Sequence, residues 1–104
     1  MLSNKAQLAL MDIRDNILAA KRFTDVYAVT RALEIVSEAA RRLPASFRER
    51  HASLPWKQIM GIGNVLRHNY ENVVETIIWE TTHTHLAPLL AVVVAEIEAF
   101  DGEP

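Results

Sequence analysis

Asn64, Arg67, His68 and Tyr70 bring an amide, a guanidinium, an imidazole and a phenol within seven residues of one another. An imidazole titrating near neutrality can take and return protons. A guanidinium can hold a phosphate through two parallel hydrogen bonds. These are the parts needed to cleave RNA without a metal. On a helix, residues four apart share a face, so Asn64 neighbours His68, and Gly63 neighbours Arg67 on an adjacent stripe. Helical side chains lean toward the N-terminus. Arg67 should therefore reach back over the space above Gly63, one turn or about 5.4 Å away. Spacing alone leaves a second reading open, because Arg, His and Asn near a helix C-terminus also favour the macrodipole and bond the last carbonyls.

The remaining polar residues suggest less chemistry. His83 and His85 are two apart and do not face each other on a helix, so no metal site is expected there. His51 falls in a polar connection and is expected in solvent. Arg31, Glu34, Glu38 and Arg42 form i,i+3 and i,i+4 pairs, ordinarily a salt-bridged surface of small energetic weight. Trp56 and Trp79 sit on apolar faces and are expected in the core.

The elements that must position the polar cluster read as helices. Residues 4–22 place Ala6, Leu10, Ile13 and Ile17 on one stripe, with Asn4 as cap and Gln7 three residues on. A second helix is expected from a Thr24 cap to Leu43, with the stripe Val26, Val29, Leu33, Val36, Ala40 and Leu43, and Pro44 ends it. Residues 44–54 read as a polar connection. Pro55 opens a third helix that leads into the cluster, and residues 70–72 read as a short break. Val73, Val74, Ile77, Ile78 and Thr81 give a fourth face. Pro88 should kink or restart the chain before the last stripe, Leu86, Leu89, Leu90, Val93, Ile97 and Phe100. The tail, residues 101–104, is expected to fray.

This pattern predicts one all-α domain over residues 1–104, with its core in 4–100, built as a four- to five-helix antiparallel bundle. Half of the 104 residues are hydrophobic, and there are only three glycines and four prolines, too few turns for an all-β fold. The chain has no cysteine, which excludes disulfides and thiolate metal sites. A formal net charge of -2 excludes a general basic coat, so any polyanion needs a local basic site. The first residues lack an uninterrupted apolar run, so no signal peptide is expected. The longest apolar run, Leu89 to Ala95, is too short for a bilayer. A soluble, cytoplasmic protein is expected.

The block Arg31-Ala32-Leu33-Glu34-Ile35-Val36-Ser37-Glu38-Ala39, then Leu43-Pro44, Pro55-Trp56-Lys57-Gln58-Ile59-Met60-Gly61 and Asn64-x-x-x-His68-x-Tyr70, resembles the HepT-like family of the HEPN superfamily. The likeness runs from about Val29 to Phe100. It implies a HEPN-like all-α bundle that forms homodimers, with the motif Arg-x4-His-x-Tyr from two protomers converging at the interface. It also implies a metal-independent ribonuclease toxin of a type VII-style toxin–antitoxin pair, needing no cofactor. Its antitoxin is a minimal nucleotidyltransferase of the MntA type, which adds AMP to the motif tyrosine. Carried over, His68 is the motif histidine, Tyr70 the AMP acceptor, and Asn64 the asparagine that follows the arginine. The departure is Gly63, which stands where the motif has arginine. Either cleavage is weak or lost, or Arg67 supplies the charge from one turn later, with Gly63 opening space for it and Gly61 allowing a close helix approach. Three readings follow: an RNase toxin; a non-catalytic, nucleotide-binding partner subunit whose Tyr70 accepts AMP; and a plain helical interaction domain. Arg31, Glu34 and Glu38 are supporting candidates.

Overall fold

The computed structural model of the chain describes residues 2–22, 25–68 and 75–101; the side chains at positions 26, 67, 68, 75–77 and 101 lie outside that description. The stripe Ala6, Leu10, Ile13 and Ile17 is buried along helix α1 (Asn4–Arg22). Its cap is Ser3 rather than Asn4. The Ser3 hydroxyl accepts the Ala6 N–H at 3.1 Å, and the Ser3 carbonyl accepts that of Gln7 at 2.9 Å. Gln7 closes no capping box; its side-chain amide donates to the Leu2 carbonyl at 3.0 Å. Serine and asparagine cap about equally well, so local preference could not choose between neighbours.

Helix α2 (Val26–Arg41) is capped by Asp25, whose carboxylate accepts the Tyr27 N–H at 2.8 Å. Thr24, the expected cap, lies outside the described residues. Val29, Leu33, Val36, Ala40 and Leu43 are buried as their spacing predicts. The helix stops at Arg41, two residues before Leu43, because the residue preceding a proline is disfavoured in the α conformation. Arg42 and Leu43 close the end by donating to the carbonyls of Ala39 and Ala40, at 3.0 and 3.2 Å.

The connection after Pro44 is not simply polar. It folds helix α3 (Ala45–Arg50), whose Phe47 is completely buried. Trp56 packs edge-on against Phe47. Its indole N–H donates to the carbonyls of Arg48 and His51, at 3.1 and 3.0 Å, so the polar edge of a buried ring is satisfied. His51 is partly buried rather than free in solvent: its Nε2 lies 2.9 Å from Glu96 Oε1, and Arg50 Nη1 is 3.3 Å from the same oxygen. The partner is 45 residues away in sequence, so no local pattern announces it.

Helix α4 (Trp56–His68) begins at the expected proline, with the Pro55 carbonyl accepting the Ile59 N–H at 3.0 Å. Helix α5 (Glu75–Glu80) passes into a π-helical turn (Thr81–His85) and then into α6 (Ala87–Asp101). Pro88 lacks an N–H and its ring crowds the carbonyl four residues back. The chain answers by widening: the Leu86 N–H donates to the Thr81 carbonyl at 2.9 Å, and the two helical stretches meet at 46°. Leu86, Leu89, Val93 and Ile97 are buried, with Leu90 and Phe100 packed at the core's edge. Trp79 departs from expectation and is 58% exposed. Ile78 and Thr82 face inward, and the next residue of a helix is turned about a quarter of the way round.

Among the described residues there are thus six α-helices and a π-turn, one short helix more than the pattern predicts, and no strand. Helix α1 packs along both α2 and α6, and α2 also packs along α4. No single described helix is long and apolar enough to cross a membrane. The expected break at 70–72, the faces of Val73, Val74 and Ile77, and the tail from residue 102 lie outside the described residues.

Candidate functional site

Met60 fixes the middle of α4. Its carbonyl accepts the Ser37 hydroxyl at 2.7 Å and the Arg41 guanidinium at 2.6 Å, both from α2. Ser37 is buried, and a guanidinium donor makes a charge-assisted bond. Glu34, Ser37 and Arg41 are spaced at i, i+3 and i+7 and so form one stripe of α2. That stripe lies against the turn of α4 that leads to Asn64. No buried side-chain nitrogen or oxygen among the described residues lacks a hydrogen-bond partner.

The two glycines of α4 have roles opposite to those expected. Gly63 is buried, and a Cβ built on it would stand 3.6 Å from Ser37 Oγ and 3.8 Å from both Cα and Cγ of Glu34. The space above it is occupied by α2, so this is where the helices come close. Gly61 has nothing within 4 Å of such a Cβ and borders an open groove instead. The pattern G-x-G could not say which glycine met a neighbour, because the two differ only in rotation about the helix axis.

Asn64 is exposed on α4, one helical turn before position 68. The backbone of Arg67 and His68 closes the helix. The side chains of Arg67 and His68, and the whole of Tyr70, lie outside the described residues. Of the supporting candidates, Arg31 pairs with Glu34 at 3.6 Å, and Glu34 is brought beside Gly63. Glu38 is exposed. Arg42 leaves the expected pairing on α2 and reaches Asp12 of α1 at 2.7 Å, because it stands one residue beyond the helix. Ser37 and Arg41 are the residues that sequence reading missed. Their signal was a polar i, i+4 pair on the stripe of Glu34, legible only with the knowledge that this stripe meets α4.

Among the described residues no group of three or more His, Cys, Asp or Glu side chains is placed to hold a metal ion. His83 is tied locally, with Nδ1 3.0 Å from the Trp79 carbonyl and its ring stacked on the Trp79 indole at 4.4 Å.

The chain is 50% identical over 54 residues to a candidate RNase of Caldanaerobacter subterraneus subsp. tengcongensis, covering 52% of this chain and 48% of that protein. It is 33% identical over 63 residues to a candidate ribonuclease HepT of Thermococcus cleftensis, covering 61% and 57%. A Methanocaldococcus jannaschii protein described as a gamma-glutamylcyclotransferase and candidate RNase is 30% identical over 87 residues, covering 84% of this chain and 38% of that protein. The chain spans about half the length of the first two of these curated relatives. No solved structure matches it. The family model described as "Ribonuclease HepT-like" matches residues 6–96, from the first buried turn of α1 to the Glu96 that anchors α3, and by that match the chain belongs to the HepT-like ribonuclease family.

Proposed function

We infer that this chain is a metal-independent endoribonuclease acting as the toxin of a type VII-style toxin–antitoxin pair. The observation that carries the reading is the family match over residues 6–96, together with the Asn64-x-x-x-His68-x-Tyr70 spacing at the end of α4. In this mechanism the ribose 2′-OH attacks the adjacent phosphorus. The O2′–P bond forms and the P–O5′ bond breaks, leaving a cyclic phosphate and a 5′-OH. His68 takes or gives the proton in flight, Arg67 stabilises the charge of the phosphorane, and Asn64 orients the histidine or the phosphate. Two copies form the working unit as a homodimer, so that two motifs converge. A minimal nucleotidyltransferase of the MntA type silences the toxin by adding AMP to Tyr70.

Gly63 favours a second reading, since the motif arginine is absent and α2 fills the space above that glycine. In that reading the chain is a non-catalytic partner subunit, and Tyr70 is its acceptor for AMP. Incubating purified protein and His68→Ala with RNA in EDTA separates the two. Cleavage by the first and not the second supports the ribonuclease. An inert wild type whose Tyr70 accepts AMP from its nucleotidyltransferase supports the acceptor.

A further inference from the structure

Between Met60 and Asn64 lie Gly61, Ile62 and Gly63, so two of the three residues that carry α4 into the polar cluster are glycine. Glycine is the poorest helix former after proline, because its backbone has the most freedom to lose. By its own residues this turn is the softest of the helix. It is tied from outside instead. The Ser37 hydroxyl donates to the Met60 carbonyl at 2.7 Å, and the Arg41 guanidinium donates to it at 2.6 Å. In an α-helix the same carbonyl accepts the N–H four residues on, which here is that of Asn64. Three donors therefore aim at one oxygen with two lone pairs. A side chain that enters the i→i−4 ladder in this way redirects the helix at that point. The tilt it gives the Met60 peptide passes to Asn64 through that bond. Ser37 is 1% exposed, and the buried Gly63 places its Cβ position 3.6 Å from Ser37 Oγ, so the serine half of the tie is shielded from water. Asn64 itself is exposed. Its backbone is thus set from the buried side of α4 while its amide faces outward.

We propose that Ser37 and Arg41 are positioning residues for the cleavage reaction: by sharing the Met60 carbonyl they set the turn of α4 that presents Asn64. The inference rests on the ribonuclease reading, in which Asn64 orients the histidine or the phosphate, and adds to it the two α2 side chains that aim the asparagine.

The test uses the full chain with isotope-labelled asparagine. Asn64→Gln identifies the Asn64 resonances, and Asn4 and Asn16 on α1 serve as controls. Ser37→Ala and Arg41→Ala should each move the Asn64 amide proton downfield, because the Met60 carbonyl loses a competing donor, and should leave Asn4 and Asn16 in place. Each should lower kcat for RNA about 10- to 100-fold, the scale of a small misplacement near the chemistry, with KM and helical circular dichroism unchanged. Arg41 is exposed, so its variant reads the tie without opening the core. An unmoved Asn64 resonance in Arg41→Ala, or wild-type kcat in both variants, overturns the proposal and leaves a cleaving wild type as a ribonuclease without it. A raised KM with kcat intact in Arg41→Ala overturns it in favour of a direct contact between Arg41 and a phosphate. Shifts that spread to Asn4 and Asn16 overturn it in favour of general loosening. A wild type that cleaves no RNA removes the ribonuclease reading, and the positioning role falls with it.

Discussion

Replacing each glycine of α4 in turn tests how closely α2 and α4 approach. At Gly63, alanine adds a methyl 3.6 Å from Ser37 Oγ and 3.8 Å from two carbons of Glu34, which are ordinary van der Waals contacts. The helix-propensity gain of about 1 kcal/mol over glycine should therefore survive, and Gly63→Ala should be the more stable protein. Leucine places its next carbon roughly 1.5 Å farther out, against the backbone of α2. Overpacking of this kind costs about 1–3 kcal/mol. Pushing the helices apart also strains the Ser37 bond to the Met60 carbonyl, worth about 1 kcal/mol. The propensity gain of leucine, about 0.8 kcal/mol, is smaller than the sum. Gly63→Leu should thus be destabilised by about 1–3 kcal/mol. Gly61→Leu meets nothing within 4 Å of its Cβ and should be neutral or stabilising. Urea unfolding of the three variants, compared at equal m-value, measures all of this. A Gly63→Leu protein as stable as Gly63→Ala would refute the close approach. Stability gained at position 63 and lost at position 61 would reverse the assignment.

If Arg67 supplies the missing charge, Arg67→Ala should lower RNA cleavage by about 10²–10³, nearly as far as His68→Ala; wild-type rates in Arg67→Ala would end that role. Phe47→Ala should cost about 3–5 kcal/mol, because the ring is fully buried and packs against Trp56. Its melting temperature should fall by roughly 10 °C or more, and a smaller drop would mean that α3 contributes little to the core. Sedimentation at micromolar concentration should give about twice the chain mass of 11.7 kDa, since small cores gain stability by association; a lone monomer would remove the shared-site dimer.

The helices were legible because their signals are local. Stripes such as Ala6, Leu10, Ile13 and Ile17, or Leu89, Val93 and Ile97, repeat at the helical period, and all of these residues are buried. Pro55 and Pro88 marked a start and a restart because proline's missing N–H acts on its own neighbourhood. The cluster at the end of α4 was readable as residue types and spacing, and the family match covers that stretch. Which face meets which partner was not local. His51 gained Glu96 from 45 residues away, Arg42 crossed to Asp12, and Trp79 turned outward while Ile78 turned in. Phe47 was hidden among polar neighbours in a six-residue helix, too short to show a period. The two glycines differ least in sequence and most in surroundings. A helix can be read from its own residues, but the rotation at which it docks is decided by the packing of the whole chain, and that rotation set Gly63 against α2 and left Gly61 open.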